Sequence, residues 1–110
     1  MEIMPIRPSR DVPAQPTVWL TYWRVLEMDR GTRHFIGRSV EHNIARVSSP
    51  IFSFDLVTRT GKTSSGREYK LLGPPGLDEV VVYVWEHYIW QFASAKDVSE
   101  EYFLPAAPWQ

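Results

Sequence analysis

From Arg46 to Gly76 the chain reads RVSSPIFSFDLVTRTGKTSSGREYKLLGPPG, with apolar and polar positions alternating towards both ends of the stretch. Phe52, Phe54 and Leu56 fall on one face, opposite Ser53 and Asp55, which is the period-two pattern of a half-buried strand. Arg67 to Leu72 resumes the alternation, with Tyr69 and Leu71 inward and Lys70 outward. Between them, Thr58 to Gly66 holds Gly61, Gly66 and a run of hydroxyl residues, and reads as a wide basic turn. Gly73-Pro74-Pro75-Gly76 ends the second strand, because Pro supplies no ladder donor and Gly frees the backbone.

The preceding segments read as strands that pair with this unit. Val18 to Met28 is rich in β-branched and aromatic residues. Alternation puts Trp19, Thr21, Trp23 and Val25 on one face and Val18, Leu20, Tyr22, Arg24 and Leu26 on the other. Both faces are largely apolar, as in an inner strand covered on both sides. A short helix gathering Trp19, Trp23 and Leu26 is the competing reading; composition favours the strand. After a turn at Asp29-Arg30-Gly31-Thr32, Arg33 to Val40 returns as a second strand, and Gly37 within it marks a bulge or a close backbone approach. Ile44 to Ser48 is a short third strand.

Downstream, Asp78 is a suitable N-cap and the spacing predicts a helix to about Ser94, with Val81, Val84, Trp85, Tyr88, Ile89 and Phe92 in one apolar stripe. Asp97 caps one further turn over Val98 to Phe103. The expected fold is therefore α+β: an antiparallel sheet of four to five strands with one C-terminal helix packed on one face. Its expected core is Phe52, Phe54, Tyr69, Leu71, Val81, Trp85 and Phe92.

Residues 1–17 carry Pro5, Pro8, Pro13 and Pro16, which block helix and central strand alike. The expected organisation is a flexible Pro-rich arm over 1–17, a single domain over 18–104 and a tail over 105–110. At 110 residues with 44% hydrophobic content, one domain with its own core is what the length supports. The absence of cysteine excludes disulfides and thiolate metal sites. No apolar run is long enough to span a bilayer and MEIMPIRPSR lacks the apolar centre of a signal peptide, so the expected setting is cytoplasmic.

A net charge of −1 conceals an asymmetry. From Arg24 to Lys70, nine Lys or Arg stand against five Asp or Glu, and the remainder holds three basic and eight acidic residues. Such a distribution either steers an anionic partner or satisfies itself within the fold.

Catalytic chemistry finds little support. His34, His42 and His87 show no helical ligand spacing, no Ser stands in a nucleophile elbow, and the prolines of the GPPG loop remove the N–H groups a phosphate cradle needs. No cofactor and no metal site is expected. The remaining signal is Arg59, Lys62, Arg67 and Lys70 around the hairpin 58–70, where cations, hydroxyls and loop N–H groups together suit nucleic acid.

The pattern VSSPI, TGKTSSGREY and GPPG, followed by YVW, resembles a family of small, functionally uncharacterised bacterial proteins associated with plasmids, phages and other mobile elements. The resemblance covers about residues 46–85 and implies an accessory gene product, without assigning site residues. The resulting expectation is a non-enzymatic binding module. A protein partner, met as inhibitor or accessory, is preferred; nucleic acid held by the basic hairpin is the alternative; the oligomeric state is open, a homodimer included. What separates the two is whether the basic side chains form one contiguous face or are engaged one by one.

Overall fold

The computed structural model describes residues 16–76, 79, 83 and 95–104. Among these residues seven strands form one mixed sheet: β1 (Thr17–Glu27), β2 (Arg33–Ser39), β3 (Ala45–Val47), β4 (Ile51–Asp55), β5 (Thr60–Thr63), β6 (Glu68–Leu71) and β7 (Lys96–Asp97). The strand order is β3-β2-β1-β6-β5-β4, with β7 against β1. Two antiparallel meanders, β1-β2-β3 and β4-β5-β6, are joined where β1 and β6 run parallel, Thr17 to Leu20 beside Glu68 to Leu71.

β3 and β4 stand at opposite ends of this order, yet only residues 48–50 connect them. The chain from Val47 to Ile51 spans at most roughly 14 Å, whereas the edges of a flat six-stranded sheet stand about 24 Å apart. The sheet therefore curls until its edges approach, as in a half-open barrel. The Ser48 N–H donates to the Phe35 carbonyl (2.9 Å), and the Ser64 N–H donates to the Pro50 carbonyl (2.8 Å), tying the connector to both meanders.

The inside of the curl is the core. Val18, Leu20, Trp23, Val25, Phe35, Tyr69, Leu71, Val98 and Tyr102 are buried there, with Ile51, Phe54 and Phe103 packed at its margin. Phe35 lies at the centre, its ring 5.5 Å from Tyr69, 6.0 Å from Phe54 and 6.2 Å from Tyr102. The four-residue 3-10 turn Ser99–Tyr102 supplies Tyr102 to this cluster. The turn is tethered to β1: Ser99 Oγ accepts from the Val25 N–H (2.8 Å) and donates to Asp97 Oδ1, which also accepts from the Ser99 N–H (2.9 Å). The N-cap position of the turn is Val98, not the expected Asp97, whose carboxylate instead holds Ser99.

Two one-residue bulges decide which side chains enter the core. On β1, Thr21 pairs with Arg38 and Arg24 with Ile36, so Tyr22 and Trp23 together oppose Gly37. The extra residue switches the inward set from Val18 and Leu20 to Trp23 and Val25. Tyr22 adopts the left-handed conformation (φ 50) to accommodate it. A Cβ at Gly37 would lie 3.1 Å from the Thr21 carbonyl and the Trp23 backbone, which is the close approach its place in the strand suggested. On β4, Ile51 pairs with Thr63 and Ser53 with Lys62, leaving Phe52 as the extra residue.

The expected fold needs correction in four respects. The sheet has seven strands, not four to five, and it is mixed, not antiparallel, because β6 joins β1 in parallel. The wide turn over 58–66 contains β5, so that region is two tight hairpins, with turns at residues 56–59 and 64–66. Among the described residues the helical element that packs against the core is the 3-10 turn Ser99–Tyr102, in place of one long helix on the sheet. The predicted helix over 78–94 lies outside the described residues except for Glu79 and Tyr83, which are both helical, and Val81, Trp85 and Phe92 are among those left out. Phe52 is not core: it is 80% exposed, because the bulge turns it outward while Ile51 and Phe54 face in. The arm up to residue 15 and the tail from 105 also lie outside the described residues.

Candidate functional site

The four basic residues singled out in 58–70 are dispersed by the two hairpins. Arg67 precedes β6 and is fully buried. Arg59 sits in the β4–β5 turn at φ 56; its guanidinium donates to the Gly73 carbonyl (3.2 Å) and stands 5.2 Å over the Phe103 ring. The same carbonyl accepts from Trp23 Nε1 at 3.0 Å, so Arg59 belongs to a structural junction of three segments. Lys62 and Lys70 alone point out from the sheet. Lys62 pairs with Glu68 at 3.8 Å, and Lys70 donates to Thr60 Oγ1 (3.0 Å) with its ammonium 5.4 Å over the Trp19 ring. The basic side chains do not form one contiguous cationic face.

Charge complementarity within the fold accounts for part of the asymmetry between the two ends of the chain. Arg24 meets Asp97 (3.4 Å), and Arg33 meets Glu101 (2.8 Å) and Glu27 (3.7 Å). The Tyr102 hydroxyl and the Glu101 carboxylate hold the Arg33 guanidinium protonated even more firmly than usual. Basic sheet residues thus anchor the acidic C-terminal segment.

What the sheet presents outward is a mixed surface built in register. One transverse row runs Trp19, Lys70, Thr60, Asp55 across β1, β6, β5 and β4; the next runs Thr17, Glu68, Lys62, Ser53. Between them lies a shallow depression of about 520 Å³, floored by β5 and bordered by Asp55, Lys62, Glu68 and Lys70. Two exposed aromatics neighbour its lining residues: Trp19, 39% exposed, pairs with Lys70, and Phe52 precedes Ser53 on β4. Tyr22, 48% exposed, stands at the β1 bulge beside Gly76.

Sequence alternation had already placed Lys70 outward, whereas it left Trp19 on one of two apolar faces of a strand expected to be covered on both sides. It missed Tyr22 and Phe52, since both owe their exposure to bulges, and the only sign of either in the chain is Gly37. Chemistry of other kinds is not assembled here. Among the described residues no group of three His, Asp or Glu side chains could hold a metal, and none of their helices is long and apolar enough to cross a membrane. His34 is engaged at both ring nitrogens, by the Ser48 carbonyl (2.8 Å) and the Thr32 hydroxyl (3.0 Å).

In comparisons with known proteins, no family model, no curated protein and no solved structure matches the chain.

Proposed function

We propose that the protein is a non-enzymatic interaction module that binds another protein through its outward sheet face, with Trp19, Tyr22 and Phe52 as the anchoring side chains. The observation that carries this reading is Phe52. A large aromatic side chain left 80% exposed on an edge strand offers a ready anchor to a partner. Trp and Tyr are the side chains that dominate interface energetics, and Trp19 and Tyr22 are also exposed, on β1. An accessory or inhibitory role in a bacterial mobile element, the setting the sequence resembles, suits a small module of this kind.

The nucleic-acid reading is weaker on the same geometry. Of its four cations one is interior and one sits in a structural junction, while the other two share their face with Glu68 and Asp55. Carboxylates on that surface repel phosphates and lower the net counterion release that drives such binding.

The test is capture of a partner by the immobilised full chain, compared among variants. Phe52→Ser and Trp19→Ala should abolish capture with an unchanged urea midpoint, and Lys62→Gln should leave it intact. Capture that survives both aromatic substitutions but disappears on nuclease treatment would reverse the order of the two readings.

A further inference from the structure

We infer that the cleft at the β1–β2 turn is a binding site for a small aromatic carboxylate. The cleft encloses about 460 Å³, within the size range of small-molecule sites, and lies between that turn and the start of the connector after β3. It shares no lining residue with the depression on the outward sheet face, so it stands apart from the proposed partner surface.

Its walls are fixed before any ligand arrives. In the turn, the Gly31 N–H donates to the Met28 carbonyl and the Met28 N–H to the Thr32 carbonyl, both at 2.8 Å. Gly31, at φ 87, takes the left-handed position that closes such a three-residue loop. In the connector, Ser48 is locked to β2: its N–H donates to the Phe35 carbonyl, and its hydroxyl accepts from the Phe35 N–H, both at 2.9 Å. His34 ties turn and connector together. The Ser48 carbonyl can only accept, so Nδ1 carries the proton (2.8 Å), and Nε2 of the neutral ring accepts from the Thr32 hydroxyl (3.0 Å). A site held in this way has little ordering left to do when a ligand binds.

The lining decides the class of ligand. With both ring nitrogens engaged, His34 has only its flat ring to offer, and Met28 adds a polarisable thioether; both favour an aromatic ring over a saturated one. Val47, half-buried, adds apolar surface. The charge comes from Arg30. It is exposed at the turn, and among the described residues it enters no hydrogen bond, ion pair or ring contact, whereas Arg24, Arg33, Arg59, Lys62 and Lys70 are all engaged. Asp29 beside it is occupied elsewhere. One guanidinium fork matches one carboxylate in bidentate geometry, while a phosphate dianion would leave much of its charge unmet.

The test is titration of the full chain with naphthylacetate, its neutral amide and plain acetate, read from backbone amide chemical shifts. Naphthylacetate should give saturable shifts over Met28 to His34 and at Val47 and Ser48, with none at Ser53, Thr60 or Lys62. The amide, and naphthylacetate on the Arg30→Gln variant, should each bind about tenfold more weakly, the scale of one charge-assisted contact. Arg30 is exposed, so this variant keeps its fold, and Lys62→Gln should bind as the wild type does. Equal affinity for acid and amide, undiminished in Arg30→Gln, would overturn the inference. So would the absence of saturable shifts, or shifts centred on the outward depression. Shifts that acetate alone reproduces would overturn it too, since they would report a bare anion on Arg30 and no aromatic site. No partner enters this experiment, so its outcome is separate from that of the Phe52→Ser capture assay.

Discussion

A Cβ built on Gly61 would lie 2.4 Å from Cζ of Phe35 and 2.6 Å from its Cε2. Strand β5 thus has a gap in its inward face, and the central ring of the core occupies it. The backbone of Gly61 is not in the left-handed region, so the requirement is purely one of space. Gly61→Ala should cost about 3 kcal/mol, at the upper end of the usual range for overpacking, because the obstructing atoms belong to a rigid ring held by Phe54, Tyr69 and Tyr102. Urea denaturation checks this. In the Phe35→Leu background the additional cost of Gly61→Ala should largely vanish, and an undiminished cost would show that something other than the ring occupies the gap.

Phe52 and Phe54 give a paired test of the β4 bulge. Phe52→Ser should change stability by less than about 0.5 kcal/mol, as for other exposed positions. Phe54 packs 4.7 Å from the Tyr102 ring and 6.0 Å from Phe35, and Phe54→Ala should cost about 2 to 4 kcal/mol. Equal losses from both substitutions would mean that β4 keeps strict alternation and has no bulge.

How far the chain could be read in advance follows from these elements. The positions of β1, β2, β3, β4 and β6 were legible because β-branched and aromatic runs are bounded there by Gly, Pro and Asp. β5 was not, since TGKT carries no apolar side chain. What makes it a strand is Gly61 admitting Phe35 from β2, a contact far away in sequence. β7 is two residues long and exists only because β1 offers an edge beyond the end of β6. Parallel pairing of β1 with β6 depends on the curl of the whole sheet. In the candidate site, Lys70 was placed outward by alternation and Lys62 was read as part of the turn, but Arg67 was lost to the interior, where no period-two rule could put it, as it precedes its strand.

Ser99 carries the attachment of the C-terminal segment to β1. Its hydroxyl is the acceptor for the Val25 N–H, and both groups are buried. Ser99→Ala removes that acceptor and should cost about 1 to 3 kcal/mol, the scale for a buried donor left unsatisfied. Ser99→Thr keeps the hydroxyl and should retain most of the stability if the added methyl fits. Hydrogen exchange at the Val25 amide gives the local readout, faster in the alanine variant and protected in the wild type.

Salt dependence decides between the two binding classes. Each phosphate neutralised on duplex DNA contributes about 0.9 to the slope of log affinity against log salt. If Lys62 and Lys70 worked on phosphates, replacing both by Gln would flatten that slope by about two units with stability almost unchanged, as exposed charges contribute little to folding. We expect instead that filter binding with mixed duplex and single-stranded oligonucleotides retains nothing even at low ionic strength, since Glu68 and Asp55 share the face with both lysines. Arg67 should behave in the opposite way to a surface cation. Being wholly buried, it should lower the urea midpoint when changed to Gln, on the scale of about 3 kcal/mol for disturbing a buried charged group, and alter no salt slope. Retention with a steep slope, flattened by the lysine pair and left untouched by the aromatic variants, would establish nucleic acid as the ligand and remove the protein-interaction reading.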